Sequence, residues 1–133
     1  MIKLSSRDVT AMNTVPVRIG QSIIICEHAT SESEKLTGLK NRRFLAMNKG
    51  MLFDTYGRYR PMFHMKDVFL PLEALFISTQ NILVDIVPML PLDASAVYTT
   101  YKNIPIKHVI EVNRNYCDRH GIKLNDTVFV GRI

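Results

Sequence analysis

The segment that determines the predicted fold is residues 50–88, which read GMLFDTYGRYRPMFHMKDVFLPLEALFISTQNILVDIVP. Its apolar runs, at 50–55, 59–66, 72–78 and 82–88, alternate with turn signals such as Tyr56-Gly57 and Gln80-Asn81. Short apolar runs bounded by turn residues are typical of β-strands. The segment therefore predicts a series of consecutive strands.

The flanking sequence continues this pattern and adds short helices. Further strands are predicted at residues 15–19, 22–28, 107–112 and 127–130. Ser31 stands three residues before Glu34, a capping box that begins a helix ending near Gly38 or Lys40. A second helix is predicted over residues 113–120, before Gly121. Short strands at this regular spacing predict a mostly β fold, a compact β-sandwich or barrel with one or two short helices.

The length and composition indicate one globular domain. The chain has 133 residues, of which 47% are hydrophobic and 22% charged, and a chain of this size buries a core without disulfide staples. Residues 1–13 are polar and lack periodicity, so we interpret them as an N-terminal arm and residues 14–133 as a single β domain. No apolar run reaches about 18 residues, so no membrane-spanning helix is predicted.

The first residues and the cysteine content both favour the cytoplasm. Residues 1–8 lack the apolar stretch of a secretory signal. Cys26 and Cys117 suit a reduced intracellular protein better than a disulfide scaffold. We therefore expect a cytoplasmic protein, or a virion component if the source is a virus. The formal net charge of +5 indicates a modest preference for anionic partners.

Several motifs resemble those of one uncharacterised family. Residues 50–53 resemble its G-M-L-F signature, and residues 64–73 are similar to its W-M-K-N-T-x-I-P-L-D signature. Residues 34–42, 109–112 and 119–126 resemble further elements in the same order. The chain thus resembles domain-of-unknown-function family 192 over residues 22–130. The resemblance implies a compact, mostly β domain with small helices, and the family has no assigned chemistry.

The chain departs from the family signatures at several positions. His64 stands in place of the tryptophan, Asp67 in place of the asparagine and Glu73 in place of the aspartate. Asn125 replaces a glycine, and asparagine tolerates a left-handed turn. If the family's cleft binds a ligand against the tryptophan, we expect that binding to be lost or altered here.

Two cysteine–histidine pairs are the first candidate site. Cys26 and His28 share a face of a predicted strand, and Cys117 and His120 share a face of a predicted helix. If the two elements adjoin, these side chains form a tetrahedral zinc site. Their spacing is not that of common zinc motifs, so we favour the alternative of buried cysteines and a His120 at the helix C-terminus. No cofactor is predicted.

A methionine cluster is the second candidate site. Thioether sulfurs are soft ligands that suit Cu(I), and the cluster comprises Met47, Met51, Met62, Met65 and Met89 together with His64. The favoured alternative is that the methionines fill gaps in the core.

Lys66, Glu73 and Glu111 are the third candidate site. All three lie within apolar predicted segments, where an unpaired charge is costly. As chemistry, a desolvated lysine beside two carboxylates performs acid–base work in a cleft. As structure, an ion pair between Lys66 and a carboxylate joins two strands. We favour the structural alternative, so no catalytic residue is predicted.

A basic and aromatic patch is the fourth candidate site. Arg42 and Arg43 precede Arg58 and Arg60, which flank Tyr59. Aromatic rings between cations are typical of single-stranded nucleic-acid binding. The favoured alternative is a solvated loop face.

The sequence favours a non-catalytic function. It contains no nucleophile elbow, Ser-His-Asp order or Gly-rich phosphate loop. We expect a structural or binding module, namely an accessory or decoration subunit of a larger assembly such as a virion. Its partner would be another protein or a second copy, with residues 1–13 as the tether. The alternatives are a small-ligand binder or hydrolase-like enzyme using the cleft of Lys66, Glu73 and Glu111, and a nucleic-acid-binding domain.

Overall fold

The computed structural model describes residues 12–131 and confirms a mostly β fold with short helices. The strands are β1 (Thr14–Ile19), β2 (Ser22–Ala29), β3 (Lys49–Tyr59), β4 (Leu72–Ser78), β5 (Leu83–Met89), β6 (Pro105–Asn113) and β7 (Val128–Val130). The helices are α1 (Glu32–Thr37) and α2 (Tyr116–His120). Of the predicted N-terminal arm, residues 1–11 lie outside the described residues. Neither α1 nor α2 is long enough or apolar enough to cross a membrane.

The strands form a single curled sheet, a half-barrel, in the order β5-β4-β6-β3-β2-β1-β7. Neighbouring strands are antiparallel except β2 and β3, which are parallel because α1 lies in the connection between them. The two edges of the sheet approach each other, since Ile82 forms a bridge with Thr127 and the Leu83 N–H donates to the Asp126 carbonyl over 2.9 Å.

This curl gives the sheet two hydrophobic cores. The concave core takes side chains from every strand described and from α2, among them Val17, Ile24, Leu52, Leu75, Leu83, Ile110, Tyr116 and Val128. The convex core lies on the opposite face of β3, β4 and β6, beneath the loops of residues 39–45 and 63–70, and includes Met51, Phe53, Met65, Phe76 and Val109. The convex core therefore depends on loops as well as strands.

A bulge in β3 corrects one predicted turn. Tyr56 and Gly57 have φ values of +54° and +79°, and they lie within β3 instead of ending it. The pairing with β6 shifts register between Asp54 and Arg58. An extra residue in one strand of an antiparallel pair produces this local change. The turn signal in the sequence thus marks a bulge.

The strand predicted over residues 59–66 is wrong. β3 ends at Tyr59 because Arg60 has a φ of +49° and Pro61 has no N–H to donate to the ladder. The following segment packs its apolar side chains onto the convex core. Among residues 12–131, its one strand-like contact is a bridge between Phe63 and Tyr98.

The structure tests both predicted helix starts. At α1 the capping box is confirmed, because Ser31 Oγ accepts from the Glu34 N–H (3.0 Å) and Glu34 Oε1 accepts from the Ser31 N–H (3.1 Å). The predicted start of α2 at residue 113 is wrong. Asn113 remains in β6, where its side-chain amide donates to the Leu45 carbonyl over 2.7 Å.

Gly50 tests how tightly β3 packs against β6. A Cβ at this position would stand 2.7 Å from the Glu111 carbonyl oxygen and 3.2 Å from Val112 Cγ1. We expect Gly50→Ala to lower the free energy of unfolding by about 2–3 kcal/mol, because strand backbone must move. Gly20→Ala is the control, since nothing lies within 4 Å of its Cβ and only its φ of +59° is unfavourable, at about 1 kcal/mol. Urea unfolding measures both, and equal losses would contradict the packing explanation.

Candidate functional site

Glu111 is the buried acidic residue around which the candidate site is built. It lies on the convex face of β6, between Met51 of β3 and Ala74 of β4, and is 5% exposed. Within residues 12–131 its carboxyl group has no hydrogen-bond or ion-pair partner, and burial alone raises its pKa to about 8. The carboxyl group is therefore mostly protonated at neutral pH.

A cavity of about 320 Å³ opens beside Glu111 on the convex face. Its walls combine polar and apolar side chains in similar measure, and the apolar ones include Leu39, Phe53, Phe63 and Val68. The rings of Phe53 and Phe63 meet edge to face, with centroids 5.2 Å apart. The volume of the cavity is within the range of small-molecule sites.

The mouth of the cavity combines exposed apolar side chains with cations. Leu36, Tyr56 and Met62 line it and are 68%, 71% and 72% exposed. Lys35 also lines it, with its Nζ 4.6 Å from the centroid of the Tyr56 ring. Its other charged side chains are Glu32, Lys40 and Arg58. Apolar groups exposed together around a cavity are typical of a binding site.

The structure does not assemble the cleft of Lys66, Glu73 and Glu111. Glu73 pairs with Val112 across the sheet and Ala74 pairs with Glu111, so the two carboxyl groups lie on opposite faces. Lys66 is exposed and does not line the cavity. Neither Lys66 nor Glu73 therefore lies beside Glu111, and the predicted acid–base cleft is not formed.

Glu73 has a structural role at the start of α2. Its carboxylate oxygens accept from the Asn115 N–H (3.0 Å) and from the Cys117 N–H (2.9 Å). These backbone groups lack partners at a helix N-terminus. Glu73 is 5% exposed and thus fixes α2 against β4.

The cysteine–histidine pairs are not brought together as one ligand set. Cys26 and Cys117 are both free thiols in the concave core, and burial raises the pKa of both, that of Cys26 to about 12. His28 contacts Asp54, while His120 stacks on Tyr116 with ring centroids 4.0 Å apart. No group of three or more His, Cys, Asp or Glu side chains in the described part of the chain is arranged to hold a metal ion.

The methionine candidates separate into buried and exposed groups. Met51, Met65 and Met89 are fully buried in the convex core. Met47, Met62 and His64 are exposed. The buried thioethers fill the core, which is the alternative that we favoured for them.

The arginines of the basic patch have different surroundings. Arg42 binds Glu27 through two hydrogen bonds of 2.5 and 2.7 Å. Arg43 lies over the Phe69 ring, 4.2 Å from its centroid. Arg58 and Arg60 are exposed, and Arg58 lines the cavity mouth. Two of the four side chains are thus engaged within the molecule.

A polar cluster on the concave face was not predicted from the sequence. Asp54 Oδ2 lies 2.9 Å from His28 Nε2, and Asp54 Oδ1 lies 3.1 Å from His108 Nδ1, which is not aligned for a hydrogen bond. Burial lowers the pKa of His108 more than Asp54 raises it. The cluster joins β2, β3 and β6 at the end of the sheet away from α2. Only the strand register, which no local pattern reveals, places these residues together.

Comparisons with known proteins find an uncharacterised family and solved structures of the same fold. The model of domain-of-unknown-function family 192, described as an uncharacterised ACR, matches residues 15–130. A proposed transcription regulator from Sinorhizobium meliloti 1021 is 27% identical, with a TM-score of 0.81 over 91% of this chain and 96% of that one. A protein of unknown function from Novosphingobium aromaticivorans DSM 12444 is 26% identical, with a TM-score of 0.82 over 91% of this chain and 88% of that one. No curated protein matches.

Glu111→Gln tests the burial of the carboxyl group. Because folding raises the Glu111 pKa from 4.5 to about 8, its contribution to stability is present below about pH 4.5 and is lost as the pH rises through 8. We expect the wild type to lose on the order of 4 kcal/mol relative to Glu111→Gln across this interval. Urea unfolding at about pH 5 and pH 9 measures the difference. Glu32→Gln, at the exposed mouth, is the control, and identical pH profiles for all three proteins would contradict the explanation.

Proposed function

This chain belongs to domain-of-unknown-function family 192, and we propose that it is a binding module for a small organic molecule. The molecule occupies the cavity on the convex face, with its apolar part against Phe53 and Phe63 and a polar atom on Glu111. The proposal keeps the non-catalytic character expected from the sequence. It replaces an assembly partner by a small ligand.

The observation that carries this proposal is the placement of the buried Glu111 carboxyl group in the wall of the cavity. A buried polar group without a hydrogen bond costs free energy, and such groups in native proteins have a specific reason. Glu111 is nearly inaccessible, has no partner within residues 12–131, and lines a cavity of about 320 Å³. A bound molecule offers this carboxyl group a hydrogen-bond partner inside the cavity.

The apolar mouth supports the same conclusion. Leu36, Tyr56 and Met62 are each more than two-thirds exposed at the cavity rim, although apolar side chains are favoured in contact with other apolar groups. A molecule that enters the cavity covers part of this rim. Nucleic-acid binding is less favoured, because Arg42 and Arg43 of the basic patch already have contacts within the protein.

Blocking the cavity tests the proposal. Thr37 is exposed and lines the cavity, so Thr37→Trp places an indole at the mouth without altering the core. We expect fragments found by ligand-observed NMR to bind the wild type and to lose about tenfold or more in affinity for Thr37→Trp, roughly 1.4 kcal/mol. Thr127→Trp is the matched control, since Thr127 is exposed and lies outside the cavity.

The methionine methyl groups locate the bound fragments. Met62 lines the cavity, whereas Met47 is exposed elsewhere. With ¹³C-labelled methionine methyls, we expect fragments to shift the Met62 signal and to leave the Met47 signal unchanged. Fragments that bind Thr37→Trp as tightly as Thr127→Trp, or that shift Met47 instead of Met62, would refute the proposed function.

A further inference from the structure

The charges around the cavity are distributed unevenly. Lys35, Lys40 and Arg58 line the cavity together with the carboxylates of Glu32 and Asp54, and the Asp54 carboxylate is directed to His28 and His108. None of the three cations lies within 4.0 Å of a carboxylate in the described part of the chain. Arg42, by contrast, is neutralised by Glu27. The mouth thus has an excess of positive charge that remains available to a ligand.

The inner end of the cavity carries a hydrogen-bond donor. Burial keeps the Glu111 carboxyl protonated at neutral pH, and a protonated carboxyl group donates through its O–H. Its neighbours on the same face are Met51 and Ala74, which offer no side-chain acceptor oxygen. A neutral carboxylic acid in an apolar site can serve as a donor to a bound molecule.

The remaining titratable groups near Glu111 lie at or outside the mouth. His64, in the loop after β3, and Tyr56 line the cavity and are exposed. Asp54 also contributes to the lining, but its carboxylate is directed to His28 and His108 on the concave face. Glu111 is therefore the buried titratable group of the cavity.

We infer that the ligand is a small organic anion with an apolar body and an acceptor oxygen at its inner end. Its acid group lies among Lys35, Lys40 and Arg58, its body lies against Phe53 and Phe63, and its inner oxygen accepts a hydrogen bond from the Glu111 O–H. This inference rests on the proposed function and adds the chemical class of the ligand. A cationic ligand would have to pass the positive mouth and ionise a carboxyl group in an apolar site.

Three matched aromatic probes test the inference. The first, 4-acetylbenzoate, has a carboxylate and a ketone acceptor. The second, 4-isopropylbenzoate, has the same shape without the acceptor, and the third, 4-acetyl-N,N,N-trimethylanilinium, carries a permanent positive charge. We expect 4-acetylbenzoate to bind most tightly in calorimetric titrations at about pH 7. Raising the pH to about 9.5 should lower the affinity for 4-acetylbenzoate by about tenfold, because the ionised Glu111 no longer donates a hydrogen bond.

Variants assign the effect to individual residues. In Glu111→Gln the amide donates at every pH, so 4-acetylbenzoate should bind without the loss at high pH. Arg58→Gln should lower the affinity for 4-acetylbenzoate and for 4-isopropylbenzoate by about threefold to tenfold, and this loss should depend on salt concentration. Arg60 is exposed but lies outside the cavity, so Arg60→Gln should leave the affinity for both probes unchanged. Because Arg58 is exposed, this variant remains informative even if the Glu111 variant unfolds.

The outcomes separate this inference from the proposed function. Tighter binding of the trimethylanilinium, especially with an affinity that rises with pH, would show a cationic ligand and overturn the inference. Absence of binding by all three probes, while fragments still require an open cavity at Thr37, would also overturn the inference alone. The proposed function itself is overturned by fragments that bind Thr37→Trp as tightly as Thr127→Trp, or that shift the Met47 signal instead of the Met62 signal.

Discussion

The position of β6 between β3 and β4 is the constraint on which the rest of the structure depends. Side chains alternate between the two faces of a strand, so this register sends Ile110 and Val112 into the concave core and Val109 and Glu111 to the convex face. Gly50 holds β3 against the Glu111 backbone, where a side chain does not fit. The buried acid of the cavity is thus fixed by backbone pairing, not by contacts of its own.

Much of the fold could be predicted from local pattern, because strands and caps are local properties. The apolar run at 72–78 corresponds to β4, and Ser31 and Glu34 form their capping box at α1. The bulge at Tyr56-Gly57 could not be distinguished from a turn, since both need residues with positive φ. The apolar residues at 59–66 belong to a loop that packs on the sheet, where burial produces the same composition as a strand.

The candidate site could be predicted only in part, since it depends on which residues meet across the sheet. The sequence identified Glu111 and Arg58 as polar residues of interest, but it joined Glu111 to Lys66 and Glu73, which lie elsewhere. Glu73 and Glu111 are both buried acids on adjacent strands. Glu73 accepts two backbone N–H groups at a helix start, whereas Glu111 faces a cavity. A difference of one register position thus separates a carboxylate that caps a helix from a carboxyl group that lines the cavity.

The irregular backbone after Asp54 contributes side chains to the wall and mouth of the cavity. β3 pairs with β6 on both sides of the bulge, and Tyr56 and Arg58 of this bulged segment line the mouth. Arg60 and Pro61 then end the strand, and the chain returns over the convex face to place Phe63 against Phe53. Positive φ at residues other than glycine is unfavourable, and such strain tends to be retained at functional sites. The segment with positive φ and the buried carboxyl group of Glu111 thus lie in the wall of one cavity.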